Sequence, residues 1–357
     1  MTTAAGPTSL ALPGAMQRAA LAQHPLIRAA IAVVLALLCT AVLIALSGKD
    51  PILAYRALFF GAFGSVDRAA FALNKATPYL LAGIGIALCF RAKIINIGAE
   101  GQIAIGGLAA TWAALAFPVA DPAAAIALTL AAATAGGALW SGLATVIHLS
   151  RRVHEVLVTL LLNFVALLIV GEALHGSLGE VGAGFPQSPL LPATTWLPKL
   201  WPRTQLHIGI AIGVVAAVGA YLLLWRTTFG FAVRVAGASR PAALYAGFSV
   251  SGITVTVMLL AGALAGLAGG VEVLGVHYRL IEGFSYGFGF NAVAIALLGA
   301  LQPLALIPAA LFFGFLEAGA LAMQRQVGVP SSLVAVIEGL TMLFILAAMA
   351  SAERKAQ

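Results

Sequence analysis

Long apolar runs, broken by short polar clusters, alternate along the whole chain. Runs of near-spanning length lie at 26–46, 70–90, 123–147, 156–173, 208–225, 253–274, 304–321 and 333–350, and another ends at Phe117. A helix needs ~20 mostly apolar residues to cross a bilayer, so each run predicts a membrane-spanning helix. Two pieces break the pattern. Residues 52–64, ILAYRALFFGAFG, are aromatic and carry Arg56, which predicts an amphipathic helix lying at the interface. The apolar piece at 291–301 is too short to span and predicts a half-helix continuing from a re-entrant 282–290. With both termini on one side the number of spans is even. The expected fold is an all-α polytopic transmembrane bundle of about ten spans, with broken or re-entrant helices.

Polar punctuation completes the layout. Gly48-Lys49-Asp50-Pro51 and residues 118–122 read as turns. Residues 174–205 form the longest polar insert. Its Pro186, Pro189, Pro192 and Pro198, with Trp196 and Trp201, predict an outer loop at the membrane surface. Residues 226–250 read as a polar loop with Arg226, Arg234 and Arg240. Residues 1–23 predict a disordered cytoplasmic tail, 24–350 the transmembrane domain and 351–357 a second short tail.

Composition agrees with this pattern and removes other classes. Apolar residues make up 62% of 357 and charged residues 9%. A soluble domain is ~25% charged and could not hide this much apolar side chain. The net charge of +7 suits basic residues at the cytoplasmic face better than nucleic acid, because no basic run interleaves with aromatics. The clusters at 91–93, 148–154, 226–250 and the C-terminus place both termini inside, in a multi-pass inner (plasma) membrane protein. Cys39 and Cys89 fall in apolar runs and offer neither metal site nor disulfide framework. Gly48-Lys49 lacks the upstream glycine of a phosphate-binding loop, and no Ser/His/Asp or HExxH constellation occurs. The chain is therefore expected to be no enzyme, to bind no metal and no cofactor, and to hydrolyse no ATP itself.

Two interruptions carry the candidate chemistry. The first is Asn96-Ile97-Gly98-Ala99-Glu100-Gly101-Gln102. Ionised Glu100 would cost at least ~2.5 kcal/mol at the bilayer centre, so it faces a partner, water or protein interior. One reading is a discontinuous helix whose Asn96, Glu100 and Gln102 line a substrate path. The other is a helix start at the cytoplasmic face, with Asn96 as cap and Lys93 paired to Glu100. The second half of the chain has a comparable break at 284–291, and paired breaks point to a midplane binding site. There Phe284, Tyr286, Phe288 and Asn291 could stack on a ring and satisfy its polar groups. Asn163, inside the 156–173 run, joins this pathway set. Glu172, Glu272, Glu317 and Glu338 lie in or near spans and keep an ion-coupled carrier open. The second interruption runs Ser239-Arg240-Pro241-Ala242-Ala243-Leu244-Tyr245-Ala246-Gly247. Ser239 is an N-cap, Pro241 suits a first turn and Gly247 stops, which predicts a helix of under two turns.

The stretch FRAKIINIGAEGQ (90–102) resembles the signature of bacterial ABC-importer permeases of the nucleoside and simple-sugar branch, within the family shared with ribose and branched-chain amino-acid permeases. HEVLVTLLLN (154–163), VAGASRPAALYAGF (235–248) and the run 260–320 agree, and the similarity covers roughly 65–350. Ile95, His154, Ser239 and Asn291 depart from the pattern, standing where Phe, Asn, Asn and Asp are usual. The resemblance implies that 239–247 is a coupling helix docking on a cytoplasmic ABC ATPase, which uses ATP and Mg. It also implies a second permease chain, an extracytoplasmic substrate-binding protein, and import of nucleosides or related purine and pyrimidine compounds by alternating access. A simple sugar is the other substrate class this branch implies.

Overall fold

The fold is that of a computed structural model, which describes residues 25–285, 287–330 and part of 333–344, with side chains from Val34 onward. The expected tails, Tyr286 and most of the last run lie outside the described residues. Contacts divide the chain into two compact units, 1–54 with 327–357, and 55–326. The first contains α1 (Pro25–Leu46), a helix with Leu38, Val42 and Leu46 exposed and Ala36 and Ile44 buried. The chain then enters α2 (Pro51–Phe63).

The second unit holds α3 (Val66–Arg91), α4 (Ala99–Ala116), α5 (Pro122–Arg151), α6 (Glu155–His175) and α7 (Gly209–Arg226). Then come α8 (Thr228–Ala238), α9 (Arg240–Tyr245), α10 (Val250–Glu272), α11 (Phe288–Leu298) and α12 (Leu306–Val327). A single π turn, Val273–His277, prolongs α10. At the centre, α10 packs against α3, α4 and α5. Gly106 of α4, Gly137 of α5 and Gly266 of α10 meet backbone to backbone, and any β-carbon there would strike the neighbouring helix. Small residues at a crossing let helices approach closely, which is how membrane helices gain packing energy without a hydrophobic driving force. Outward faces are apolar: Leu139, Leu168 and Val215 are each more than two-thirds exposed, as lipid-facing side chains should be.

Six helices among the described residues are long and apolar enough to cross a membrane: α3, α5, α6, α7, α10 with its π turn, and α12. The expectation of about ten exceeds that count for local reasons. The described side chains of α1 cover only its last thirteen residues, Val34–Leu46. The first turn of α4 carries Glu100 and Gln102. Helix α11 has 11 residues, about 16 Å of rise, and is too short to cross alone.

Two expectations are corrected. Helix α2 is not amphipathic: Ile52, Leu53, Phe59, Phe60 and Phe63 are exposed while Ala54, Ala57 and Ala62 are buried, so small residues pack and large ones face outward. The stretch 226–250 is not a loop but carries α8 and α9. Thr227 Oγ1 accepts from Gly230 N–H at 3.0 Å and starts α8. Arg234 lies over the Trp225 ring at 4.4 Å, so a cation that looked solvated is stacked.

The unit has two distinct ends. At one, Arg91 closes α3 and donates to the Leu301 and Ala300 carbonyls at 3.0 and 3.2 Å. Helix α9 lies at this end, at the start of α10. At the other, the insert after α6 lies against the chain beyond the π turn: Ser188 N–H donates to Leu280 O at 2.8 Å and Leu191 N–H to Tyr278 O at 2.9 Å. Trp196 packs on Tyr278 with ring centres 4.5 Å apart, whereas Trp201 is exposed.

Candidate functional site

The first interruption is fully buried. Asn96, Glu100, Gln102 and Asn163 are at most 1% exposed. After Arg91 the chain leaves the helix, passes Lys93 at φ 55°, and re-enters helix at Ala99. Asn96 Oδ1 accepts from Gly98 N–H at 2.8 Å, so the side chain replaces a missing helical bond. Its amide also meets the Gln102 amide at 3.4 Å. Asn163 of α6 donates to Ile97 O at 2.8 Å and accepts from Gly101 N–H at 2.9 Å. These amides satisfy the backbone of the break.

Glu100 reaches across to α11. Its carboxylate accepts from Gly287 N–H at 3.1 Å and from Gly289 N–H at 2.8 Å. The first N–H groups of a helix lack internal partners and carry partial positive charge, so an anion placed there is stabilised. Gly287 stands at φ 90°, a left-handed conformation open to glycine, and turns its N–H toward Glu100. Gly289 lies so close that a β-carbon would strike the Glu100 backbone. The two breaks seen in the sequence are therefore in contact: the carboxylate of one is the cap of the other. The Lys93–Glu100 pair is absent from the ion pairs among the described residues.

The second interruption divides its residues. Phe284 is buried and its ring abuts Gly107 of α4. Phe288 is also buried and meets Tyr79 of α3 edge to face, centroids 5.3 Å apart. Asn291 is half-buried and donates to Tyr79 Oη at 3.3 Å. Tyr286 is outside the described residues.

Beside Phe288 stands a charged cluster whose members the sequence shows singly, on separate helices. Lys75 of α3 is 3.2 Å from Glu317 of α12 and 4.0 Å from Glu272 of α10. Its ammonium lies 5.0 Å from the Phe288 ring centre. Tyr79 Oη donates to Glu317 at 2.8 Å, and His277 Nε2 lies 3.5 Å from Glu272. The side chains of Lys75, Glu317 and His277 are 15, 17 and 27% exposed, whereas Glu272 is fully enclosed. Charges inside a bundle pair with one another or face a water-filled path, and these do the first while keeping partial access. The geometry offers charged hydrogen-bonding groups and aromatic edges, without a nucleophile–base pair.

The capped mini-helix is present as α9. Ser239 Oγ accepts from Ala242 N–H at 3.3 Å, Phe248 N–H donates to Ala243 O at 2.9 Å, and Gly247 stands at φ 81°. Ala243 is buried, while Arg240, Pro241, Ala242, Leu244, Tyr245 and Ala246 are exposed, Tyr245 at 98%. An apolar and aromatic tip held out this far has no contact among the described residues to explain it. Beneath it a cleft of about 440 Å³ is lined by Lys93, His148, Glu155, Ser239 and Arg240 among others.

The chain resembles several curated proteins along most of its length. It is 35% identical to the guanosine ABC transporter permease protein NupP of Bacillus subtilis, over 88% of this chain and 91% of that one. It is 35% identical to the glucose ABC transporter permease protein TsgB13 of Haloferax volcanii, over 83% and 80%. It is 30% identical to the nucleoside ABC transporter permease protein NupB of Lactococcus lactis, over 88% and 89%. No solved structure matches it. Residues 68–346 match the family described as branched-chain amino acid transport system / permease component, and with most of the second unit inside that match the chain belongs to this permease family.

Proposed function

We propose that this chain is the transmembrane subunit of an ATP-driven ABC importer that moves nucleosides, or related purine and pyrimidine compounds, into the cytoplasm. The observation that carries the reading is the similarity, over 88% of the chain, to permeases named for guanosine and for nucleosides. A simple sugar is the second reading, favoured by the equal identity to a glucose permease. The cluster of Lys75, Glu272 and Glu317 in the membrane interior supports a third, ion-coupled transport without ATP.

In this reading α9 is the coupling helix. Its exposed Arg240, Leu244 and Tyr245 dock on a cytoplasmic ABC ATPase that binds ATP and Mg, while this chain binds no cofactor. A second, homologous permease chain and an extracytoplasmic binding protein complete the importer, with lipid around it and no nucleic acid. The α9 end is cytoplasmic, as are both termini, in the inner membrane. Ten crossings follow if α1, α4, the broken segment 278–301 and the last run join the six long helices.

Of the expected pathway residues, Phe288 and Asn291 stay on the path, joined by Lys75, Tyr79 and Glu317. Asn96, Glu100, Gln102, Asn163 and Phe284 shape it from behind by holding α4 and α11. Tyr286 remains assigned to the path from its sequence position. Alternating access needs contacts that differ between two states, and a half-helix held by one carboxylate is a small element whose movement would open or close the path.

The test is uptake into vesicles holding the full complex, with labelled nucleosides, bases, pentoses and branched-chain amino acids. Nucleoside uptake that stops on ATP depletion and survives an uncoupler at clamped ATP supports the reading. Uptake that follows the ion gradient instead removes it.

A further inference from the structure

Glu272 is the last residue of α10, and its side chain is completely enclosed. Its partners are at charge-pairing range only: Lys75 Nζ at 4.0 Å and His277 Nε2 at 3.5 Å. Beyond this long approach of His277, which is too poorly aligned to count as a full hydrogen bond, neither carboxylate oxygen has a hydrogen-bond partner among the described residues. Buried polar groups are hydrogen-bonded in the great majority of cases, and a specific exception calls for a reason. Attraction to Lys75 offsets the charge but leaves the lone pairs unfilled.

His207 is a second exception at the same place. Its ring is 1% exposed and packed against Gly209 and against Gly275, which lies on the π turn that directly follows Glu272. Nδ1 accepts from Gly209 N–H at 3.1 Å, which puts the ring proton on Nε2. That N–H has no acceptor among the described residues. Burial pushes the His207 pKa below the usual histidine range, against the pull of Glu272, so the ring is neutral with one free donor. The backbone around it is fixed: His207 N–H donates to Asn74 Oδ1 at 3.3 Å, and Asn74 donates to Gln205 O at 2.6 Å.

The chemistry of these groups narrows the ligand. An anion would meet two carboxylates, Glu272 and Glu317. A metal cation would meet Lys75 and His277. A neutral polyol meets no such conflict. Two adjacent hydroxyls can each donate to one oxygen of a carboxylate, and one of them can accept from an N–H. Hydrogen bonds to an ionised acceptor are the strong ones. We infer that Glu272, with His207 and Lys75, forms a subsite for the two hydroxyls of a vicinal diol, with the Phe288 and Tyr79 edges beyond Lys75 facing the remainder of the ligand. Lys75, Glu317 and His277 are the partly exposed side chains leading to it. The 23 residues of α10 carry Glu272 roughly 33 Å from Val250, away from the α9 end. The subsite thus lies in the half of the bundle that substrate reaches first.

This inference rests on the import reading, but not on which diol is carried. Both a ribonucleoside and a free sugar present one. The experiment uses the reconstituted complex with its binding protein, and compares wild type with Glu272→Gln and His207→Phe. Uptake is measured for guanosine, 2′,3′-dideoxyguanosine, methyl β-ribofuranoside and its 2-deoxy analogue, the methyl group locking the furanose ring so that the deoxy sugar has no vicinal diol. The binding protein is common to all arms, so a change in the preference ratio belongs to the permease. In wild type the diol-bearing member of a pair is carried roughly ten- to a hundredfold faster, the range expected for hydrogen bonds to a charged acceptor. In either variant that ratio falls to within about threefold. A variant that inserts and keeps the wild-type ratio overturns the subsite, and guanosine uptake in that result leaves the nucleoside reading intact. A ratio lost for the ribofuranoside over its 2-deoxy analogue, with no guanosine uptake, keeps the subsite and overturns the nucleoside reading. If neither variant inserts, displacement of labelled guanosine and of labelled methyl β-ribofuranoside from the wild-type permease–ATPase complex decides. At least about tenfold weaker competition by the dideoxy or deoxy analogue supports the subsite, and equal competition for both pairs overturns it.

Discussion

Two buried polar assemblies touch α11 and differ in how they are satisfied. Around Glu100, the side chains at the break bond directly to neighbours, Asn96 to Gly98, Asn163 to Ile97 and Gly101, Glu100 to Gly287 and Gly289, with the buried Ser285 hydroxyl the one exception among the described residues. Around Lys75, charges face one another at 3.2 to 4.0 Å, and Glu272 and His207 leave atoms unbonded among the described residues. A saturated network resists change, because each deletion orphans a buried backbone group. An unsaturated network has capacity left for something else. The same residue types, carboxylate and amide, thus serve architecture in one place and offer binding groups in the other.

The sharpest way to break this contrast is Glu100→Ala. It leaves two helix-terminal N–H groups without an acceptor, at ~1–3 kcal/mol each. Heating the detergent-solubilised protein should show a large loss of stability or little folded protein at all; wild-type melting would refute the capping role. Asn163→Ala should follow, with about 1–3 kcal/mol lost in the same assay, since it frees Gly101 N–H and Ile97 O. Gly289→Ala should cost a similar ~1–3 kcal/mol by overpacking against the Glu100 backbone. The other assembly should respond the opposite way. Glu317→Gln, in a half-open position still able to accept from Tyr79, should change the apparent KM for uptake by several-fold with melting nearly unchanged. A melting drop as large as that of Asn163→Ala would erase the distinction. The smallest effect on the fold belongs to Tyr245→Ala: no change in melting, but weaker pull-down of the partner ATPase and less stimulation of its hydrolysis.

Much of this was legible from spacing and residue type. Apolar length alone placed most of the long helices to within a few residues. Ser239 and Gly247 bounded the mini-helix because capping chemistry is local. The polar island at 96–102 stood out because a carboxylate in an apolar run needs an explanation. Its counterpart at 284–291 stood out as a second break, but the bond joining the two did not, since Gly289 is 189 residues away and offers only a backbone N–H. The Lys75 cluster was hidden for a related reason. Each member is one charge in one span, and only the packing of α3, α10 and α12 joins them. Helix α8 was missed because Arg234 suggested a loop, although Thr227 three residues before Gly230 was a usable start signal. Large aromatics on α2 suggested a one-sided helix; the small residues between them, which do the packing, were the better guide.

The bond between Glu100 and Gly289 also bears on how the protein is made. A chain threaded into the membrane from its N-terminus places α4 long before α11 exists. Until the later segment arrives, Glu100 must hold a proton, keep water or borrow another donor. When it arrives, the half-helix finds its acceptor already in position. A defect at Gly289 should therefore appear as a late failure of assembly, with the earlier helices already inserted and the chain exposed to quality-control proteases, rather than as a failure to enter the bilayer.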